Sequence, residues 1–251
     1  MCFSAIKMLL AAVVIGVAGM AQAGEITVSA AASLTNAFRE IAASYEARHP
    51  GSKIALNFGA SGALLQQMRK GAPVDVFAAA DQESMDMAVK QGLVAAADRR
   101  DFARNALVLV VPADSKIVLR GLADLTQSAV GKIAIGNPAS VPVGRYARRA
   151  LQAARLWPQV EARAIHTQNV RQSLDYVARG EVDAGFVYAT DAALMRDRIK
   201  IAFAVPLDVA ILYPIARIAA SAGGVEAGRF VDFVMSADGQ AILGKHGFLT
   251  P

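Results

Sequence analysis

A single cysteine, Cys2, stands in 251 residues, so the fold cannot be stapled internally by a disulfide, and no thiolate cluster is available for a metal. Histidine is nearly as scarce. His49, His166 and His246 have no spacing that would pair two of them on one helix or strand, which removes the usual signal of a cation carrier. Basic residues outnumber acidic ones only 26 to 21, no basic run exceeds two residues (Arg99-Arg100, Arg148-Arg149), and aromatics do not interleave with them. The electrostatic footprint of a nucleic-acid binder is therefore missing. Nor does any apolar run reach the roughly 20 residues that span a bilayer as a helix. The longest near the start, Met8 to Met20, has 13.

That short run follows the single cation Lys7 and precedes Ala21-Gln22-Ala23, the A-x-A form cut by signal peptidase. Residues 1–23 are thus expected to be a cleavable signal peptide, with the mature chain beginning at Gly24 in the periplasm. Cys2 and Lys7 would leave with it, giving a thiol-free protein of net charge about +4 that holds its fold by core burial alone.

From Gly24 onward, short apolar runs alternate with amphipathic stretches, the pattern of an α/β fold with largely parallel sheets. Strands are expected over 26–30, 53–58, 74–79, 106–111, 133–136, 162–166, 184–188 and 209–218. Helices are expected over 34–48, 63–70, 143–155, 170–179 and 228–235, among others. One unit occurs twice: Gly71-Ala-Pro-Val-Asp75-Val-Phe-Ala and Gly180-Glu-Val-Asp183-Ala-Gly-Phe-Val. Each reads as helix end, glycine turn, aspartate and buried strand, which suggests two similar sheets. Lobe one is expected from 24–104 plus 207–251 and lobe two from 105–206, with the apolar runs 106–111 and 209–218 as crossings between them. Ligands of open α/β sheets sit beyond the carboxyl ends of strands, so function is expected in the cleft at the strand-to-helix turns.

Four such turns are small, uncharged and rich in donors: Ala31-Ala32-Ser33-Leu34-Thr35, Gly59-Ala60-Ser61-Gly62, Pro138 through Gly144, and Gln168-Asn169-Val170. A helix start exposes unpaired N–H groups and carries about half a positive charge, so several starts converging on one cleft can hold a dianion without a lysine. For Ser33 and Ser61 taken singly, helix capping is the ordinary alternative. Tyr188 ends the buried run 185–188, where its phenol either donates into the cleft or packs in the core. Arg145 and Arg171, in the first turns of their helices, are expected to point into solvent, and Asp191 to cap a helix over 192–196.

The motifs Ala30-Ala-Ala-Ser33-Leu-Thr-Asn36, Gly71-Ala-Pro-Val-Asp75 with Ala80-Asp81, Val141-Pro-Val-Gly144-Arg-Tyr-Ala147 and Val187-Tyr188-Ala-Thr-Asp191 resemble, in order and spacing, the periplasmic molybdate-binding proteins of ABC importers. The resemblance spans residues 24–251. It implies a two-lobed type II periplasmic-binding-protein fold and an anion caged by Ser33, Ser61, the N–H groups of Val143 and Val170, and Tyr188. Molybdenum would be held as its oxyanion, without direct protein-to-metal ligands and without a cofactor. Tungstate should bind similarly. The implied partners are an inner-membrane permease and its ATPase, met by a monomer. Many relatives have alanine where Val143 stands and some have serine where Ala60 stands; the first contact is through the backbone, and the second removes an optional hydroxyl.

Two other readings compete. Sulfate, also a bare dianion, would suit a donor cage. A serine hydrolase is suggested by Gly59-Ala60-Ser61-Gly62-Ala63, one residue short of a nucleophile elbow, but no histidine lies in a recognisable partner motif. The chain is therefore read as a binding protein and not an enzyme.

Overall fold

The computed structural model describes residues 24–251, and the expected signal peptide, 1–23, lies outside the described residues. Two five-stranded sheets organise the chain. The first takes β1 (Glu25–Ala31), β2 (Lys53–Gly59), β3 (Val76–Ala78), β4 (Arg100–Asn105) and β10 (Ile211–Arg217), in the order β2-β1-β3-β10-β4. The second takes β5 (Leu107–Pro112), β6 (Ile133–Gly136), β7 (Ala164–Thr167), β8 (Ala184–Tyr188) and β9 (Ile199–Ala204), in the order β7-β6-β8-β5-β9. In each sheet one strand, β10 or β5, runs against the other four.

Helices complete the two lobes. Around the first sheet lie α1 (Thr35–Arg48), α2 (Ser61–Arg69), α3 (Gln82–Lys90), α8 (Gly224–Met235) and α9 (Ala237–Lys245). Around the second lie α4 (Pro142–Ala153), α5 (Trp157–Glu161), α6 (Val170–Ala178) and α7 (Ala189–Ala192). Parallel neighbours need such crossover helices, and covering both faces explains why β3 and β8 are apolar and buried at every position. The apolar runs 106–111 and 209–218 are not themselves connectors: they form the reversed strands β5 and β10. The passages between sheets are shorter, at Ala106 and over 205–210.

The duplicated sequence unit occupies equivalent places. Gly71 and Gly180 end α2 and α6 at φ of +87° and +68°, which only glycine adopts without strain. The aspartates that follow tie central strands together. Asp75 accepts Thr27 N–H at 2.8 Å, and Asp183 accepts the N–H groups of Gly131 and Lys132, each at 2.8 Å. Their roles match because β3 and β8 hold the same position in the two sheets.

Two glycines seat the start of α4. A Cβ on Gly144 would lie 1.7 Å from the carbonyl oxygen of Gly136, and one on Gly136 would lie 2.5 Å from Val141 Cγ1. The first turn of α4 can therefore rest directly on the end of β6. Pro142 occupies the first helical position, where its missing N–H costs nothing.

Candidate functional site

The carboxyl ends of six strands converge on one small cavity between the lobes. From the first sheet come Ala31, Ala32 and Ser33 after β1, Gly59, Ala60 and Ser61 after β2, and Ala80 after β3. The second contributes Val141, Pro142 and Val143 after β6, Asn169 and Val170 after β7, and Tyr188 at the end of β8. All five residues singled out in the sequence, Ser33, Ser61, Val143, Val170 and Tyr188, line it together. The cavity is small: the space among its lining residues, its mouth to solvent included, amounts to only about 200 Å³. A small ion fits; a sugar or peptide does not.

No aspartate, glutamate, lysine, arginine or histidine lines this space. Its polarity comes from hydroxyls and the backbone. Val143 and Val170 lie at the second and first positions of α4 and α6, and neither N–H has an intramolecular acceptor among the described residues. Asn169 caps α6 by accepting Gln172 N–H at 3.1 Å, so the cap leaves the N–H of Val170, a lining residue of the cavity, unengaged. Ser33 and Ser61 do not cap: Ser33 sits within a 3-10 turn (Ala32–Leu34), Ser61 is the first residue of α2, and neither helix start has a side-chain cap. Ser61 Oγ instead accepts Ala80 N–H at 3.0 Å. Tyr188 is buried, and burial pushes its pKa well above the usual value, so it stays protonated; its hydroxyl makes only a long 3.5 Å hydrogen bond, donated to Ala80 O, from which it can turn toward the cavity.

Charge lies one layer out, and there the sequence expectations fail. Arg145 is not solvated: its side chain is 12% exposed and crosses between lobes to Asp81 (2.6 Å) and Ser84 (2.8 Å). Arg171 is 26% exposed and also bridges, donating to Asn36 Oδ1 (2.9 Å) and Ser33 O (3.2 Å) while its Nε holds Asp191. Asp191 is no helix cap; it lies inside α7, fully buried, with Oδ2 unpartnered. Burial raises its pKa to about 6 despite the opposing pull of Arg171. Each arginine beside a helix start is thus neutralised by a buried carboxylate, and the local sequence could not announce partners 64 and 20 residues away.

Backbone contacts also cross the cleft. Gly62 N–H donates to Ser140 O at 3.0 Å, and a Cβ on Gly62 would meet that oxygen at 2.7 Å. Asp81, Glu83, Arg145, Arg148 and Arg149 line a separate open groove of about 1090 Å³, far too wide to enclose a small ion. The histidines take no part in the cavity. His49 stacks on Tyr45, His246 meets Glu40, and His166 lies on β7, so Ser61 has no base.

The family model for bacterial extracellular solute-binding proteins matches residues 26–249. The chain belongs to that family. As a member of a family of solute-binding proteins it is a binding protein and not an enzyme. The chain is 33% identical over 251 residues to the molybdate-binding protein ModA of Escherichia coli (strain K12), covering 95% of each. It is 36% identical over 225 residues to the putative ABC transporter substrate-binding lipoprotein YvgL of Bacillus subtilis (strain 168), covering 89% of this chain and 85% of the relative. Among solved structures, the substrate-binding domain of a putative molybdenum ABC transporter from Clostridium difficile is 35% identical with a TM-score of 0.68, over 90% of this chain and 99% of that one.

Proposed function

We propose that this chain captures molybdate, and tungstate with it, in the periplasm after removal of residues 1–23, and delivers it as a monomer to an inner-membrane ABC permease driven by its ATPase. The observation that carries this reading is a small cavity whose polar groups are neutral donors from both lobes: the hydroxyls of Ser33, Ser61 and Tyr188 and the amides of Val143 and Val170. The names of the similar proteins from Escherichia coli and Clostridium difficile support the choice of anion.

Molybdate near neutrality is a bare dianion that only accepts hydrogen bonds. Hydrogen phosphate brings a proton with no acceptor in such a cage, and an unpaired buried donor costs about 1–3 kcal/mol, roughly 5- to 150-fold in affinity. Sulfate carries no proton and is discriminated by size, since its shorter bonds leave donors out of reach. Ser33 and Ser61 belong to one lobe and Val143, Val170 and Tyr188 to the other, so the anion gains its full set of contacts only when the lobes are closed. That difference in affinity shifts the population to the closed form, which a permease can read.

Isothermal titration calorimetry of residues 24–251 against molybdate, tungstate, sulfate and hydrogen phosphate tests the reading. One-to-one binding of the first two, with weaker sulfate and little phosphate, is expected. Sulfate binding as tight as molybdate would replace the cargo, and absence of oxyanion binding would remove the function.

A further inference from the structure

A serine hydroxyl can donate to a bound molecule or accept from it, so two serines alone do not make a donor-only cage. Their surroundings remove the choice. One lone pair of Ser61 is engaged by Ala80 N–H at 3.0 Å, and its hydrogen, with no acceptor among the described residues, is left for the cavity. For Ser33 the constraint arrives through a chain of side chains beginning where the backbone crosses between lobes. Ala106 N–H donates to Asn105 Oδ1 at 2.9 Å and so orients that amide. Its Nδ2 then faces Thr190 Oγ1 at 2.9 Å and Tyr213 Oη at 3.2 Å.

Tyr213, in the middle of β10, is wholly buried, and its hydroxyl lies 3.1 Å from Ser33 Oγ. Having accepted from Asn105, it has one hydrogen left, and Ser33 Oγ is its only acceptor among the described residues. The opposite polarity, Ser33 donating to Tyr213, would strand a buried hydroxyl hydrogen. The relay therefore runs one way.

We propose that Tyr213 and Asn105 are positioning residues of the anion site: they fix Ser33 as a donor into the cavity and thereby exclude oxyanions that carry a proton. This rests on the oxyanion reading of the cavity. A monoprotonated anion needs only one oxygen facing an acceptor, and Ser33 freed from Tyr213 would supply it. Neither residue lines the cavity, so both act through Ser33.

The test is titration calorimetry of wild type, Tyr213→Phe and Asn105→Ala with molybdate and with inorganic phosphate, at mildly alkaline pH where phosphate is the singly protonated dianion. Tyr213→Phe keeps the ring and removes the hydroxyl that holds Ser33; Asn105→Ala removes the donor that fixes Tyr213 and opens room for a water to take the Tyr213 hydrogen, so that Tyr213 can accept from Ser33, and it carries the test if the first variant does not fold. In either variant the ratio of molybdate to phosphate affinity is expected to fall about tenfold or more, the size of one relieved unpaired donor. A merely structural role would weaken both anions alike, and a ratio within about twofold of wild type, with molybdate still bound, would refute the relay while the carrier reading stands. Failure of the wild-type chain to bind molybdate would instead overturn the oxyanion reading, and the relay with it.

Discussion

Gly62→Ala should raise stability and weaken binding at once. Gly62 lies in the first turn of α2 with no positive φ, so an alanine there suits the helix and contributes up to about 1 kcal/mol to the ligand-free protein when the lobes are apart. Closure is another matter. The added Cβ would sit 2.7 Å from Ser140 O and 2.9 Å from Ser140 Cα, both backbone atoms that cannot rotate away. Restoring ordinary contact requires about 0.7 Å of separation, which stretches the Gly62 N–H to Ser140 O bond from 3.0 Å beyond hydrogen-bonding range. That bond contributes about 1 kcal/mol, and a donor to the anion that retreats with the second lobe about 1.5–3 more. A loss of about 2.5–4 kcal/mol corresponds to roughly 70- to 1000-fold in affinity. Calorimetric titration with molybdate, paired with thermal unfolding of the ligand-free protein, reads both signs. Affinity within about twofold of wild type would refute the argument that this glycine permits closure.

Other perturbations follow from the same contacts. Ser61→Ala should weaken molybdate binding about tenfold or more while the ligand-free unfolding temperature changes little, because one donor to a charged ligand is lost; unchanged affinity would remove Ser61 from the site. Gly144→Ala should destabilise the fold by about 1–3 kcal/mol or more, seen as a thermal midpoint lowered by several degrees, since its Cβ overlaps Gly136 O at 1.7 Å. Asp191 has a folded-state pKa raised from 3.8 to about 6, so it contributes stability that is fully present below about pH 4 and is lost as pH rises through 6. Asp191→Asn should abolish that part of the slope in denaturant-derived stability between those limits; an identical slope in the variant would show that Asp191 does not cause it.

The parts of this architecture that were legible are those with local causes. The strand-to-helix turns carry their own signals in small residues and helix starts, and the duplicated Gly–Asp units marked β3 and β8 because each needs a turn glycine and a strand-tying carboxylate within a few residues. Two strands were missed for one reason. β4 (Arg-Asp-Phe-Ala-Arg-Asn) and β9 (Ile-Lys-Ile-Ala-Phe-Ala) lie at sheet edges, where exposure admits charge or breaks the apolar run. Arg145 and Arg171 were misplaced because a first-turn cation reads as solvated until its distant carboxylate is brought beside it. Tyr213 looked like any aromatic within an apolar run. Its hydroxyl acquires meaning only when β10 returns to the first sheet and places it against Ser33, 180 residues away in the chain.

The central claim is that a tetrahedral oxyanion is held between the lobes by neutral donors alone. A crystal structure of residues 24–251 with tungstate, phased on the metal's anomalous signal, tests it most directly. The account predicts one strong peak enclosed by Ser33, Ser61, Val143, Val170 and Tyr188, with hydroxyls and amides as its nearest protein atoms and no arginine or lysine in contact. A peak in the open groove beside Arg148 and Arg149, with the small cavity empty, would contradict it.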